Sequence, residues 1–547
     1  MVYPVAAPRR VALGAALFIV LIALAAGGKA VLFDTIDPDC FLHLMAADQL
    51  LADGIGPLVD HQSFASVSTP WTPYSWLAEL GMKLVWDHGG YRAAVLTHAA
   101  FAGAIIATIA GTCLIRTRRP DDSLSDDSPR TNPLFEAPTV SRLSVVIAAA
   151  LAAFLSMPYL SFRPVTAAVL LLALVTLLIV RDRRMGERSY GVWWVIPLTV
   201  VMVNVHLFAV TVPMYVGALL LGALWERRGA FEPPDWPEGD RRARRTFLLL
   251  AGTTLACLAT PMLPGFPAAV LHLQFDPIVT GPVIAEYQPF YRGGLGVVAA
   301  LIVGALVLSA YANRRLLRAG DVIWLLVAFA ILMRMGRFAP LFAVGAAPVF
   351  AVTLPRLSER LLGKPAIYAL VALVLAAGTW RIGSSVPGPQ RRFEDWVNRH
   401  GPDAPGYPTE AAAYVEAHVR PVTGRVINEY TWGGYLEWRL RDKFQALLDG
   451  RTQCYSGEFW RLTYLAGDDG RREFFSRIRA DAAVLPAKRS LFREALTDLG
   501  WKSVYSDGRA EVLLPPPPSA RFARDADAKT AAGVGLDWAW PNLFGGE

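Results

Sequence analysis

The chain has 547 residues, of which 54% are hydrophobic and 18% charged. That composition is too apolar for an ordinary soluble chain of this length, and runs of about 20 apolar residues mark membrane spans. The net charge of +7 does not point to nucleic acid, because the basic residues sit at the ends of the apolar runs.

A first span is expected near 11–33. The segment RRVALGAALFIVLIALAAGG has features of a signal peptide, but many further spans follow and no clear A-x-A site ends it, so it reads as uncleaved. Further spans are expected near 91–115, 143–157, 164–180, 191–204, 207–225, 246–262, 294–313, 321–333, 338–354 and 365–381. The expected fold is therefore mainly α, a polytopic membrane protein of about eleven transmembrane helices. Lysine and arginine in alternate segments number 23 on one side and five on the other. Cytoplasmic loops carry the excess, which puts the N-terminus inside and everything after residue 381 outside. The expected location is a bacterial inner membrane, with the tail periplasmic.

Two inner segments, 117–142 and 226–245, are rich in Pro, Asp and Arg and read as linkers. The first outer loop, 34–90, is different. It carries Trp71, Trp76 and Trp86 and two amphipathic stretches near 39–53 and 74–87, and so reads as folded at the membrane interface. With residues 1–381 as the transmembrane part, 382–547 reads as an extracytoplasmic α/β domain with an irregular C-terminal extension. Its expected order is strand 424–430, helix 433–440, strand 445–450, helices 457–466 and 471–479, strand 480–487, helix 489–499 and a hairpin over 501–515 turning at Asp507-Gly508. Of the four cysteines, Cys40 and Cys454 fall outside, where conditions permit a disulfide. No internal repeat is visible, which weakens a transporter reading.

The chemistry-bearing residues gather on the outer side. Loop 34–90 holds eight acids against the one base Lys83, and it opens with DTIDPDCFLHL. Asp39 and His43 are four apart and share a helix face. Such an acid takes a proton from a hydroxyl or holds a divalent cation such as Mg or Mn. Helix capping by Asp37-Pro38 explains Asp37 equally well, but requires neither Asp39 nor His43. Arg163, Arg334 and Arg337 lie at outer helix ends, against the charge bias; they suit phosphate binding, or else snorkelling and pairing with the first-loop acids. Asn204 and His206 interrupt apolar sequence in VNVHLF, and residues 263–293 bring Asp276, Glu286 and Tyr287. In the tail, Gly433-Gly434 opens a helix and reads as a fold-stabilising turn or an anion site.

Taken in order, DPDCFLHL, DHQSF, SWLAEL, FRP, NVH, EYQPF, RMGRFAPLFA, NEYTWGGYLEW and LLDGRTQCY resemble a set of bacterial membrane proteins with DPD, N-x-H, WGGYL and DGR motifs. The likeness covers nearly the whole chain. That set in turn resembles the GT-C glycosyltransferases, which include protein O-mannosyltransferases, aminoarabinose transferases and oligosaccharyltransferase catalytic subunits. The sequence departs from the set at Phe41-Leu42, at Tyr74-Ser75 and in NVHLF. The resemblance implies transfer of a sugar from a polyprenyl-phosphate donor, at the outer face, to a glycan, lipid or protein acceptor. It places Asp37 and Asp39 as general base or metal ligands. Arg163, Arg334 and Arg337, with His43, His206, Glu79 and Glu286, are then candidates for holding substrate and phosphate. Two other readings stand beside it: a transporter or flippase for a lipid-linked solute, and a non-catalytic assembly protein for envelope polysaccharide.

Overall fold

The computed structural model describes residues 37, 39–66, 69–117, 142–226, 239–275, 287–292, 296–361 and 407–517. The spans expected at 11–33 and 365–381, most of both linkers, Glu286, and the C-terminal extension lie outside the described residues. So does the boundary expected near residue 382.

Helix ends follow local sequence. Helix α1 (Asp39–Asp53) starts where the Asp39 N–H donates to Asp37 Oδ1 at 3.1 Å, an N-cap bond. It stops at Gly54, whose φ of 98° suits glycine. Helix α2 (Trp76–Thr117) carries both the expected interface helix and the expected span, joined through a kink at Gly90, where φ is 54° and ψ is −148°. Helix α3 spans Arg142–Ser156. Helix α4 (Pro164–Arg184) has Pro at its first position and extended Arg163 before it, the arrangement proline imposes on its predecessor. Helices α5 (Val195–Val205) and α6 (Thr211–Trp225) are parted by a single turn at His206, which caps the turn by accepting at Nδ1 from the Phe208 N–H at 3.1 Å. Next come α7 (Gly239–Ala256), α8 (Phe266–Phe275), α9 (Gly296–Ala312), α10 (Ala319–Arg334) and α11 (Ala339–Leu361).

Among the described residues, four helical segments are long and apolar enough to cross a membrane: Trp76–Thr117, Pro164–Arg184, Leu207–Trp225 and Gly336–Leu354. Two of the eleven expected spans fall outside the described residues, and of the other nine these four reach that length. The segments expected at 143–157, 191–204 and 294–313 are apolar helices of 10–17 residues. That expected at 246–262 is a helix that starts earlier, in the charged run GDRRARR, and stops at Ala256. Close helix contact is built on small residues: Gly222 of α6 meets Gly320 of α10 backbone to backbone.

Chain direction sorts the charged residues into two ends. Arg116 closes α2, Arg183 closes α4 and Asp321 opens α10. These three meet, with Arg116 Nη2 and Arg183 Nη1 donating to the Asp321 oxygens at 2.8 and 2.5 Å. Arg245–Asp182 and Arg242–Glu226 pairs, at 2.9 and 2.6 Å, join the same end. Arg163, His206 and Arg334–Arg337 stand at the opposite ends of these helices. The arginines that the charge bias counts are thus partly spent on buried acids within the bundle.

The tail holds a five-stranded mixed sheet: β3 (Arg425–Asn428), β4 (Gln445–Ala446), β5 (Ala482–Pro486), β6 (Lys502–Ser506) and β7 (Ala510–Leu514), ordered β4-β3-β5-β7-β6. Strand β3 is parallel to both neighbours, while β6 and β7 form the expected hairpin. Around the sheet lie α12 (Thr409–His418), α13 (Gly433–Leu440), α14 (Gly457–Trp460), α15 (Gly467–Ser476) and α16 (Arg493–Asp498).

The first loop packs directly on this tail. Its own strands β1 (Leu58–Val59) and β2 (Pro70–Trp71) pair antiparallel, and Ser63 bridges to Ala446 at the edge of the tail sheet. Ser63 Oγ donates to Leu447 O at 2.6 Å, and the Phe64 N–H to Ala446 O at 3.0 Å. Phe41 is buried edge-on to Tyr407 and Tyr435, at ring separations of 5.4 and 5.3 Å, with Trp438 at 4.8 Å. Cys40 and Cys454 form no disulfide; both are free and buried, Cys40 with the Phe41 cluster and Cys454 in a separate apolar cluster around Trp460.

Candidate active site

The acids of the opening motif meet Arg163 at the end of the bundle that carries the first loop. Arg163 Nη1 lies 3.2 Å from Asp37 Oδ2 and donates to Asp39 Oδ2 at 2.9 Å, while its Nε donates to Ser161 Oγ at 2.7 Å. Capping thus accounts for one oxygen of Asp37, and Arg163 takes the other. Asp39 does no capping, and its side chain is about one-third exposed.

One turn further along α1, His43 Nδ1 lies 3.0 Å from Glu79 Oε1 across to α2. Glu79 is buried at 3% exposure, so this histidine is its main polar neighbour among the described contacts. His206 lies within electrostatic reach of Arg337, His43 and Arg163. Its Nδ1 is used as an acceptor, which leaves Nε2 as the protonated nitrogen of the neutral ring. Tyr74 stands edge-on to His206 at 6.4 Å, within the electrostatic reach of Tyr287, Arg337, Glu79 and Asp39; burial pushes its phenol well up. Asn204 is fully engaged: it accepts from Trp76 Nε1 at 2.7 Å and donates to Val200 O and Ala259 O, which makes it a strut between helices.

The two arginines of RMGRF go different ways. Arg334 ends α10 and is exposed, whereas the turn at Gly336–Phe338 sends Arg337 over the ring of Tyr287, 4.9 Å from its centre. Gly336 is required there, because a β-carbon would fall 2.6 Å from Tyr159 Oη and 2.9 Å from Gln288 O. The expected set therefore separates. Asp37, Asp39, Arg163, His43, Glu79, His206 and Arg337 share one neighbourhood, joined by Tyr74. His98 is a buried polar residue that the sequence reading passed over. Both its ring nitrogens lack a hydrogen-bond partner, and Arg163 lies within its electrostatic reach.

Beside this neighbourhood lies a buried charge cluster formed between the first loop and the tail. Arg451 Nη1 donates to Asp60 Oδ1 at 2.7 Å and Nε to Asp449 Oδ2 at 2.6 Å, and its guanidinium lies 5.0 Å from the centre of the Trp71 ring. Asp60 also accepts from Ser66 Oγ at 2.6 Å and from the Gln62 N–H at 3.0 Å. Glu437 completes the cluster, 3.9 Å from Arg451. Burial and the neighbouring Asp449 charge push Glu437 well up. Against burial, the Arg451 guanidinium holds Asp449 below the usual carboxylate range. The cluster thus favours the proton on Glu437 over Asp449. A carboxyl with a raised folded pKa contributes stability below its unfolded value, near 4.5, and loses it as pH climbs toward the folded value. Thermal unfolding from pH 5 to 9 should therefore fall more steeply for the native protein than for Glu437→Gln. Parallel curves would mean that Glu437 is already ionised at pH 5.

The acid pair fits a guanidinium better than a divalent ion. Arg163 takes the place between Asp37 and Asp39 that a metal would need, and no group of three or more His, Cys, Asp or Glu side chains is arranged around a common point among the described residues.

Fold and site together define a multi-helix membrane protein with an acid–arginine centre at one end of its bundle, closed over by a small mixed-sheet unit. The chain is similar to the oligosaccharyltransferase of Archaeoglobus fulgidus in its apo form: 13% identity, 87% of this chain and 69% of that one, TM-score 0.49. It is also similar to the same enzyme in complex with Zn and sulfate, at 14% identity over 85% and 67% with a TM-score of 0.46. A third similar structure is ArnT from Cupriavidus metallidurans bound to undecaprenyl phosphate, at 13% identity over 92% and 100% with a TM-score of 0.45. No family model matches the chain, and no curated protein sequence matches it.

Proposed function

We propose that the protein transfers a sugar from a polyprenyl-phosphate donor to a hydroxyl acceptor at the outer face of a bacterial inner membrane. The observation that carries this reading is the Asp37–Arg163–Asp39 centre, with His206, Tyr74 and Arg337 gathered around it. Asp39 is the general base. The acceptor oxygen bonds to the anomeric carbon, its proton passes to the Asp39 carboxylate, and the bond from that carbon to the phosphate oxygen breaks. The phosphate leaves with the electron pair, and Arg337 and the Nε2–H of His206 stabilise its charge. One in-line displacement inverts the anomeric carbon. Arg163 holds both carboxyl groups in place. Glu286, outside the described residues, is retained as a candidate contact to substrate from the same loop as Tyr287. Arg334, at the exposed end of α10, suits a lipid phosphate or headgroup. A divalent cation could enter only by displacing Arg163, and no step is assigned to one.

The donor's tail has a place to lie. An apolar groove of about 500 Å³ runs between α9 and α10, lined by Val303, Gly304, Val307 and Phe329. Its lining includes Phe290 and Tyr291, three and four residues after the Tyr287 ring that Arg337 lies over. A β-carbon on Gly304 would meet open space. Gly304→Leu should narrow the groove. Displacing two methylenes of lipid, at about 0.8 kcal/mol each, predicts a rise in donor KM of about tenfold with kcat unchanged. Unchanged KM would remove the groove from the donor path.

The test of the whole reading uses the full chain in nanodiscs with undecaprenyl-phosphate-linked hexoses and pentoses, measuring release of undecaprenyl phosphate. Release from no donor, with any hydroxyl acceptor supplied, would leave the assembly-protein reading in its place.

A further inference from the structure

Resting on the transferase reading, we infer that the Asp449-Gly450-Arg451 turn of the tail positions Asp39 for catalysis. Gly450 lies so near this carboxylate that a β-carbon built on it would stand 2.6 Å from Asp39 Oδ1, 3.3 Å from Asp39 Cγ and 3.2 Å from Leu42 Cδ2. The other oxygen, Oδ2, accepts from Arg163. The carboxylate is thus held from two sides, by a guanidinium from the bundle and by a side-chain-free backbone turn from the tail.

The turn itself is fixed on every side. The Asp449 N–H donates to Tyr455 Oη at 2.8 Å, the Arg451 N–H to Asp449 Oδ1 at 2.7 Å, and the Thr452 N–H to Gly450 O at 3.0 Å. Arg451 ties it to Asp60 of the first loop. Gly433 lets the start of α13 press on the backbone of Leu448 and Asp449, where a β-carbon would come within 2.7 Å of Asp449 Cα. The WGG and DGR segments are therefore one device. Gly433 seats the turn, Arg451 locks it to the loop that carries Asp39, and Gly450 meets the acid. Catalytic geometry tolerates about 0.5 Å of error, so such a contact sets whether the base is aimed at its proton.

Gly450→Ala in the full chain in nanodiscs tests this, with the same donor panel. The added methyl displaces the Asp39 carboxylate, and kcat should fall on the order of 10²-fold, with donor KM and thermal midpoint unchanged. In an Asp39→Asn background the same change should have no further effect on rate, because no base remains to misplace. If the native protein is inactive, the transferase reading fails; if Asp39→Asn retains its full rate, the assignment of Asp39 as base fails; either result takes this inference with it. If the native protein is active, Asp39→Asn is not, and Gly450→Ala turns over at the native rate, the inference alone is overturned. Should Gly450→Ala not fold, Arg451→Lys replaces it; this keeps the buried charge but loses the fork that locks the turn. A native kcat in Arg451→Lys overturns the inference equally.

Discussion

Replacing Asp39 by asparagine is expected to lower sugar transfer by about 10²–10⁴-fold, the usual worth of a positioned proton acceptor. Asparagine has the same shape and cannot take the proton. Arg163 keeps Asp37 and Ser161 as partners, so the bundle end should stay assembled and the thermal midpoint should move little. Asp37→Asn is the informative companion. Asn is as good an N-cap as Asp, and Asp39 keeps its own bond to Arg163. Its rate should fall by about tenfold or less, as one oriented hydrogen bond at the site weakens. Release of undecaprenyl phosphate, measured with both variants at matched folding, separates the outcomes. Reversed magnitudes would make Asp37 the base. Two unaffected variants would reject the acid assignment and leave the acids as helix-start residues.

What could be read from the sequence differed by kind of signal. Charges out of place were legible, because few residues tolerate such positions without a partner. Arg163 was noticed for breaking the lysine and arginine bias, and it is the residue that binds Asp37 and Asp39. The strand and helix order of the tail was legible from local periodicity, down to the hairpin at Asp507-Gly508. The limits of the apolar helices were less so, because helices such as Tyr190–Val205 are bounded by caps and turns that hydropathy alone does not see. Arg334 and Arg337 looked equivalent, three apart in one segment; only the turn at Gly336 decides that Arg337 lies over Tyr287. Contacts between distant segments were the least legible. Asp60 and Arg451 are 391 positions apart, and nothing local to either names the other. The segments DHQSF and LLDGR did stand out as units of the resemblance. Their recurrence was the available clue that they act together.

That distant pair carries the second large expectation. Arg451→Met should destabilise the protein by about 3–5 kcal/mol, because it leaves Asp60 and Asp449 buried with no counter-charge. The comparison with Asp60→Asn is the critical one. That change removes one of the carboxyl groups beside the arginine, and its amide oxygen can still accept from Ser66 and Gln62. Its cost should be nearer 1–3 kcal/mol, the range for a charge-assisted bond. The triple change Asp60→Asn, Asp449→Asn, Arg451→Met removes the charges together and should recover much of what Arg451→Met loses. Thermal and denaturant unfolding in detergent, followed by tail tryptophans such as Trp432 and Trp460, would measure all three. Recovery of stability without recovery of transfer would mean that the cluster is kept for aim rather than for strength. The first loop would then be docked by apolar contacts such as Phe41 on Tyr435, and the ion pairs would set where Gly450 meets Asp39. Recovery of both would place the charges among the structural features of the fold and leave the aim of Asp39 to Arg163.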